Sequence, residues 1–131
     1  MTDGVRFNSI HCSTLNLVML SSRRPLMPDN KDEYIPIPHK DGDFLIADKS
    51  AKDINVEVDF FLDTPPGMSF FDACRQVGVW LTTDERKRLI FDDDPSYFYN
   101  GKVTGNINTE QIAQYGTFTV VFRCKPYAKG V

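Results

Sequence analysis

Several groups of residues in this 131-residue chain have the types and spacing that chemistry uses. Asp92-Asp93-Asp94 brings three carboxylates together, the donor type that suits a hard divalent cation. They precede Pro95, where aspartates ordinarily build turns, and three adjacent carboxylates cannot all face one ion. His11-Cys12-Ser13 sets a base beside two nucleophiles. Neighbours on an extended chain point to opposite faces, so His11 and Cys12 are not expected to meet. Cys74 and Cys124 fit packed positions as small apolar groups. Arg86-Lys87-Arg88 offers positive charge to an acidic partner or to DNA, yet beside Asp84-Glu85 it reads as a solvated turn. Tyr97-Phe98-Tyr99 has the make-up of a stacking platform for bases or sugars. Alternating aromatics on a strand are more often half core and half surface, and an exposed row suits a subunit interface. No triad, metal cluster or phosphate loop emerges, so no enzyme, no metal and no cofactor is expected.

The elements that must position these residues fit one domain. A length of 131 residues with 41% apolar and 25% charged side chains is a globular composition with enough material for a core. A net charge of −3 gives nucleic-acid binding little support, because a protein that neutralises phosphates carries a basic excess. Three well-separated cysteines, with no zinc spacing, suggest a reduced chain made in the cytosol and soluble there. The start of the sequence shows no signal peptide, and no apolar run approaches the ~20 residues of a membrane span.

Residues 14–20 read as a strand with Leu15, Leu17 and Met19 on one face. Residues 23–38 hold Pro25, Pro28, Pro36 and Pro38 around a charged patch, which excludes a helix or a central strand and implies an exposed arm. Asp41-Gly42-Asp43 marks a turn. Ile54, Val56, Val58 and Phe60 alternate with polar residues in the clearest strand of the chain. A helix is expected over about residues 69–81, capped by Ser69, with Phe70, Cys74, Val77 and Leu81 as its apolar stripe. Gly78 within it leaves room for another element to approach. Leu89-Ile90-Phe91, a turn, and the segment from Tyr97 to Val103 form a β-hairpin, and residues 117–124 alternate again. The fold class is therefore α+β: an antiparallel β-sandwich-like domain with one α-helix and a β-hairpin.

Trp80-Leu81 at the helix end, Leu89-Ile90-Phe91-Asp92-Asp93-Asp94-Pro95, the aromatic strand from Tyr97 to Val103, and Phe122-Arg123-Cys124-Lys125-Pro126-Tyr127 follow one another in a telling order. That order resembles the siphophage tail-protein family that includes the distal tail proteins. Phe7-Asn8-Ser9-Ile10 and Pro38-His39-Lys40-Asp41-Gly42 fit it more loosely, and Pro36-Ile37-Pro38-His39 stands where a glycine-rich turn is expected.

The resemblance implies that residues 1–131 form a single ring-forming N-terminal domain, without the second, C-terminal β domain common in the family. It implies a structural component of a siphophage or prophage tail tip, assembled in the host cytoplasm and located in the virion tail. Its partners would be copies of itself in a hexameric ring, the tail tube protein, and a baseplate or tail-associated fibre or lysin protein, with no specific nucleic-acid binding and no membrane. A ring needs one patch of each subunit to dock on a different patch of the next. Candidate interface residues are Arg23, Arg24, Pro25, Tyr34, Pro36 and Pro38 of the arm, with Arg86, Arg88, Tyr97 and Tyr99. Two alternatives stay open at this point. One is a baseplate or injection-system adaptor of other stoichiometry. The other is a carbohydrate-binding β-sandwich of a host-recognition device, with Trp80, Tyr97 or Tyr99 stacking on sugar.

Overall fold

Strict alternation builds the centre of the molecule. The computed structural model describes residues 4–47 and 50–131; residues 1–3, part of the start read for a signal peptide, lie outside it. In chain order the strands are β1 (Val5–Phe7), β2 (Ile10–His11), β3 (Leu17–Arg23), β4 (Glu33–Pro36), β5 (Asp43–Ile46) and β6 (Ile54–Leu62). Helix α1 (Phe70–Leu81), β7 (Lys87–Phe91), β8 (Tyr97–Thr104), helix α2 (Thr109–Tyr115), β9 (Thr117–Cys124) and β10 (Lys129–Gly130) follow. Ile54, Val56, Val58, Phe60 and Leu62 of β6 are buried, as are Phe118, Val120, Phe122 and Cys124 of β9. The two strands pair antiparallel from Ile54↔Cys124 to Phe61↔Thr117, which sets both apolar rows on one face.

The main sheet is antiparallel in the order β2-β1-β7-β8-β9-β6-β3, with β10 also on β8. It is strongly curled. Phe7 on β1 lies three strand spacings from β9, about 14 Å in a flat sheet, yet its ring centroid is 5.0 Å from that of Phe122. The sheet thus encloses its own core in the sandwich-like manner expected. Gly101 on β8 permits the close pairing with β9, because a Cβ there would collide with Cys124 Sγ.

Helix α1 closes the open side. The Ser69 side chain accepts a hydrogen bond from the Asp72 amide, which caps the helix. The buried face is Ala73, Val77, Trp80 and Leu81, with Phe70 and Cys74 half-buried at its margin. It is rotated from the expected stripe because Trp80 is the anchor. Its Nε1 donates to the Phe7 carbonyl at 2.9 Å, and its ring packs edge-on against Phe7 and Phe60. Gly78 admits no neighbouring element: a Cβ there would face open space.

Other differences from the sequence reading have local causes. The expected strand over 14–20 divides into a 3-10 turn (Cys12–Leu15) and β3, with Asn16 left-handed between them at φ 62°. β1 and β2, not anticipated, form a hairpin whose two loop residues, Asn8 and Ser9, both have positive φ, the requirement of a type I′ turn. Besides the expected helix there is α2, whose seven residues are too few to show a periodicity. Asn108 caps it, Ile112 is its buried contact, and Gly116 ends it at φ 71°. No helix among the described residues is long and apolar enough to cross a membrane.

Candidate functional site

The proline-rich segment leaves the sheet through two arginines. Arg23, the last residue of β3, bonds Glu57 through Nε at 2.7 Å and forks onto Asp59 at 2.8 and 3.1 Å. Asp59 also accepts from the Ser21 and Thr119 hydroxyls at 2.6 Å, and these bonds, the Arg23 fork first, hold its carboxyl far below the usual carboxylate range. Arg24 forks onto Asp93 at 3.0 and 2.7 Å while its guanidinium lies 4.2 Å from the centroid of the Phe91 ring. The fork keeps Asp93 below its ordinary range. Arg24 thereby joins the end of β3 to the end of β7, although three strands stand between them in the sheet order.

Beyond this clamp the arm is unlike the body. It returns at a narrow neck, where Asn30 bridges Ala51, Lys31 N donates to Ser50 O, and Lys52 N donates to Asp29 O. Between these points β4 and β5 pair as a separate two-stranded ribbon. The arm is exposed as expected, but it is a hairpin rather than a plain loop. The prolines do not prevent it, since Pro36 sits at the outer end of β4, opposite Asp43, and Pro38 lies in the connection. Every residue of both strands is exposed, including Tyr34 at 62% and Phe44 at 56%. Tyr34 pairs with Leu45 on one face of the ribbon, while Ile35 pairs with Phe44 on the other, beside Ile46. Both faces are therefore apolar and uncovered. Leu26 and Met27 at the root are exposed as well.

Of the remaining candidate residues, the structure brings Arg86 to the neck, where its Nη2 donates to Asp53 Oδ2 at 2.8 Å. Arg88 stands apart, over the Phe98 ring at 4.4 Å. Tyr97 is exposed at the start of β8, opposite Gly130. Tyr99 is half-buried edge-on to Phe91, and burial raises its phenol pKa. Trp80 is only 3% exposed and Tyr99 is packed, so of the three residues offered for sugar stacking Tyr97 alone is exposed.

The groups that resembled chemistry serve the fold. The three aspartates diverge: Asp92 pairs with His11, Asp93 with Arg24, and Asp94 forms turn hydrogen bonds with Phe91 and Tyr97. His11 and Cys12 do not meet, but His11 does lie between Ser13 Oγ at 2.8 Å and Asp92 Oδ2 at 2.8 Å. Its Nδ1 also accepts from the Ser13 amide at 3.2 Å, which assigns the remaining N–H to Asp92 and caps the 3-10 turn. The arrangement copies a triad's hydrogen bonds, with Ser13 exposed and His11 partly buried. Gly4 presses on the imidazole so closely that a Cβ there would stand 2.6 Å from it, and the amide next to the hydroxyl is engaged on the ring. Burial raises the Cys12 and Cys74 thiols and pushes Cys124 up to about 12, so the thiolate needed of a nucleophile is disfavoured at all three.

The family described as the phage tail protein RIFT-related domain has a model that matches residues 10–124. The chain belongs to this family. The motifs from Trp80 to Cys124 lie within the matched residues. In fold, this phage tail RIFT-related domain is similar to SPP1 Dit, whose structure is described as a paradigm of the hub adsorption apparatus in phages infecting Gram-positive bacteria. The TM-score is 0.81 at 17% identity; the match covers all of this chain and 53% of that one, so the chain spans about half its length. A comparison with curated proteins returns no match. Among the described residues the arm presents a set of exposed apolar side chains, Leu26, Met27, Tyr34, Ile35, Phe44, Leu45 and Ile46. Its prolines and arginines are candidates from the sequence; the structure adds Leu26, Ile35, Phe44, Leu45 and Ile46 as exposed apolar residues of the same arm. The available signal was an Asp-Gly turn flanked by two short apolar runs, the pattern of a hairpin.

Proposed function

We propose that this domain is a ring-forming hub component of a siphophage tail tip, six copies of which join the tail tube to the baseplate or fibre proteins. Residues 1–131 act as a single unit in this reading, equivalent to the N-terminal domain of a distal tail protein. The observation that carries it is the arm: a two-stranded ribbon with apolar side chains on both faces and no buried residue. An isolated hairpin of this size is marginal in water, and an exposed apolar surface of this kind marks an interaction site. The forked bonds of Arg23 and Arg24 fix the direction in which the ribbon leaves the body. A projecting arm that docks on a different surface of the next copy is the head-to-tail contact from which rings are closed. In this assignment Pro25, Tyr34, Pro36 and Pro38 belong to the donated arm. Arg86, Arg88, Tyr97 and Tyr99 belong to the receiving body, and Arg23 and Arg24 to the joint.

Light scattering on the eluting protein tests the proposal across a wide concentration range. A species of six times 14.9 kDa is expected, dissociating when Tyr34→Asp and Phe44→Asp are combined. A trimer or another closed number would overturn the hexamer, and a ring unaffected by the double substitution would remove the arm from its interface.

A further inference from the structure

A second surface, distinct from the apolar arm, lies where the arm returns to the body. Two open polar depressions, one of about 450 Å3, adjoin there and share Asp53 and Arg123. Lys31, Lys52, Arg86, Lys102 and Arg123 line them, with Asp53 as the single carboxylate among the described residues. Asp53 Oδ2 accepts from Arg86 Nη2 at 2.8 Å and from Arg123 Nε at 3.1 Å. One carboxylate thus bridges two guanidiniums, each of which keeps further N–H donors. Lys31, Lys52 and Lys102 form no ion pair with the described residues. Among the described residues the groove holds five of 14 basic groups and one of 16 acidic ones, leaving nine basic and fifteen acidic elsewhere, a remainder of −6.

We propose that this groove binds a short carboxylate-rich segment of another tail protein. Arg86 and Arg123 already hold one carboxylate, so a second acidic side chain finds donors of matching geometry beside it. The lysines add positive charge at the rim, where ion pairs guide orientation and association. A nucleic acid is the poorer occupant. A long polyanion would reach beyond the groove onto a chain whose remaining charge is negative, whereas a short segment lies almost wholly within the groove. The docked segment would run past the neck through which the arm leaves, since Lys31 and Lys52 flank that neck. The assignment does not depend on the arm forming a ring.

Fluorescence anisotropy with a labelled hexaglutamate peptide on the intact chain tests it, beside a labelled thymidylate hexamer of similar charge. The peptide is expected to bind at low ionic strength and to be released at about 0.5 M salt. Lys52→Glu with Lys102→Glu is expected to weaken it about tenfold or more. Both are exposed lysines whose replacement leaves the core and the Asp53 pairs intact, which circular dichroism can verify. Lys125→Glu with Lys129→Glu makes the same change in net charge away from the groove and is expected to alter binding less than about twofold. Absence of peptide binding, equal loss in the two double variants, or tighter binding of the thymidylate hexamer would each overturn the proposal.

Discussion

Asp59 shows how much a single exposed-face residue is asked to hold. It stands on the polar side of β6 and receives Arg23 from β3 on one flank and Thr119 from β9 on the other, with Ser21 as a further donor. The sequence marks it as the outward member of an alternating strand, and nothing in it names Arg23 as its partner. Its folded-state pKa is lowered, chiefly by the Arg23 bond, so its contribution to stability is present above the unfolded value near 3.9. That contribution is lost as pH falls below about 4, since the unfolded chain then binds the proton more readily. Chemical unfolding followed by Trp80 fluorescence is expected to show the wild-type chain losing stability on going from neutral pH to about pH 3. Asp59→Asn should be less stable than wild type at neutral pH and show a shallower acid decline. An unchanged acid slope in the variant would mean that the network does not govern it.

Among the elements, legibility followed length and solvent contrast. β6 and β9 were readable because each alternates over at least four buried positions, and α1 because a cap and an apolar face coincide. The two-residue β2 and seven-residue α2 were not, since neither completes enough of a period to stand out from a loop. The arm was legible as an exposed, proline-bearing excursion. Its ribbon is signalled only by the Asp-Gly turn between two short apolar runs, because a strand exposed on both faces lacks the inside-outside alternation that identifies strands. This construction makes the arm removable. Asn30 and Ala51 already bridge, so replacing residues 31–50 with a short Gly-Ser linker should leave the core intact. The expected result is a cooperative melt within a few degrees of wild type, measured by circular dichroism, with self-association abolished. A collapse of the melt would show that the ribbon supports the body.

For the whole molecule, two surfaces of opposite chemistry meet at one neck, and salt separates them. The sequence marks the arm as an exposed excursion but does not show the groove, which gathers positions 31, 52, 86, 102 and 123 that only the curled sheet makes neighbours. In the proposed assembly, contacts of Tyr34, Ile35, Phe44, Leu45 and Ile46 would bury apolar area, which added sulfate strengthens by exclusion from the protein surface. The contacts proposed for Lys52, Lys102 and Arg123 would be charge pairs, screened once the Debye length falls to a few ångströms. The arm-driven assembly is therefore expected to persist or tighten as ammonium sulfate is raised toward about 0.5 M, while hexaglutamate binding is lost over the same range. Light scattering and anisotropy on one sample measure both. Dissolution of the assembly by salt would transfer its driving force from the apolar ribbon to the charged groove, and the joint between copies would then have to be sought at Arg86 and Arg123 rather than at Tyr34 and Phe44.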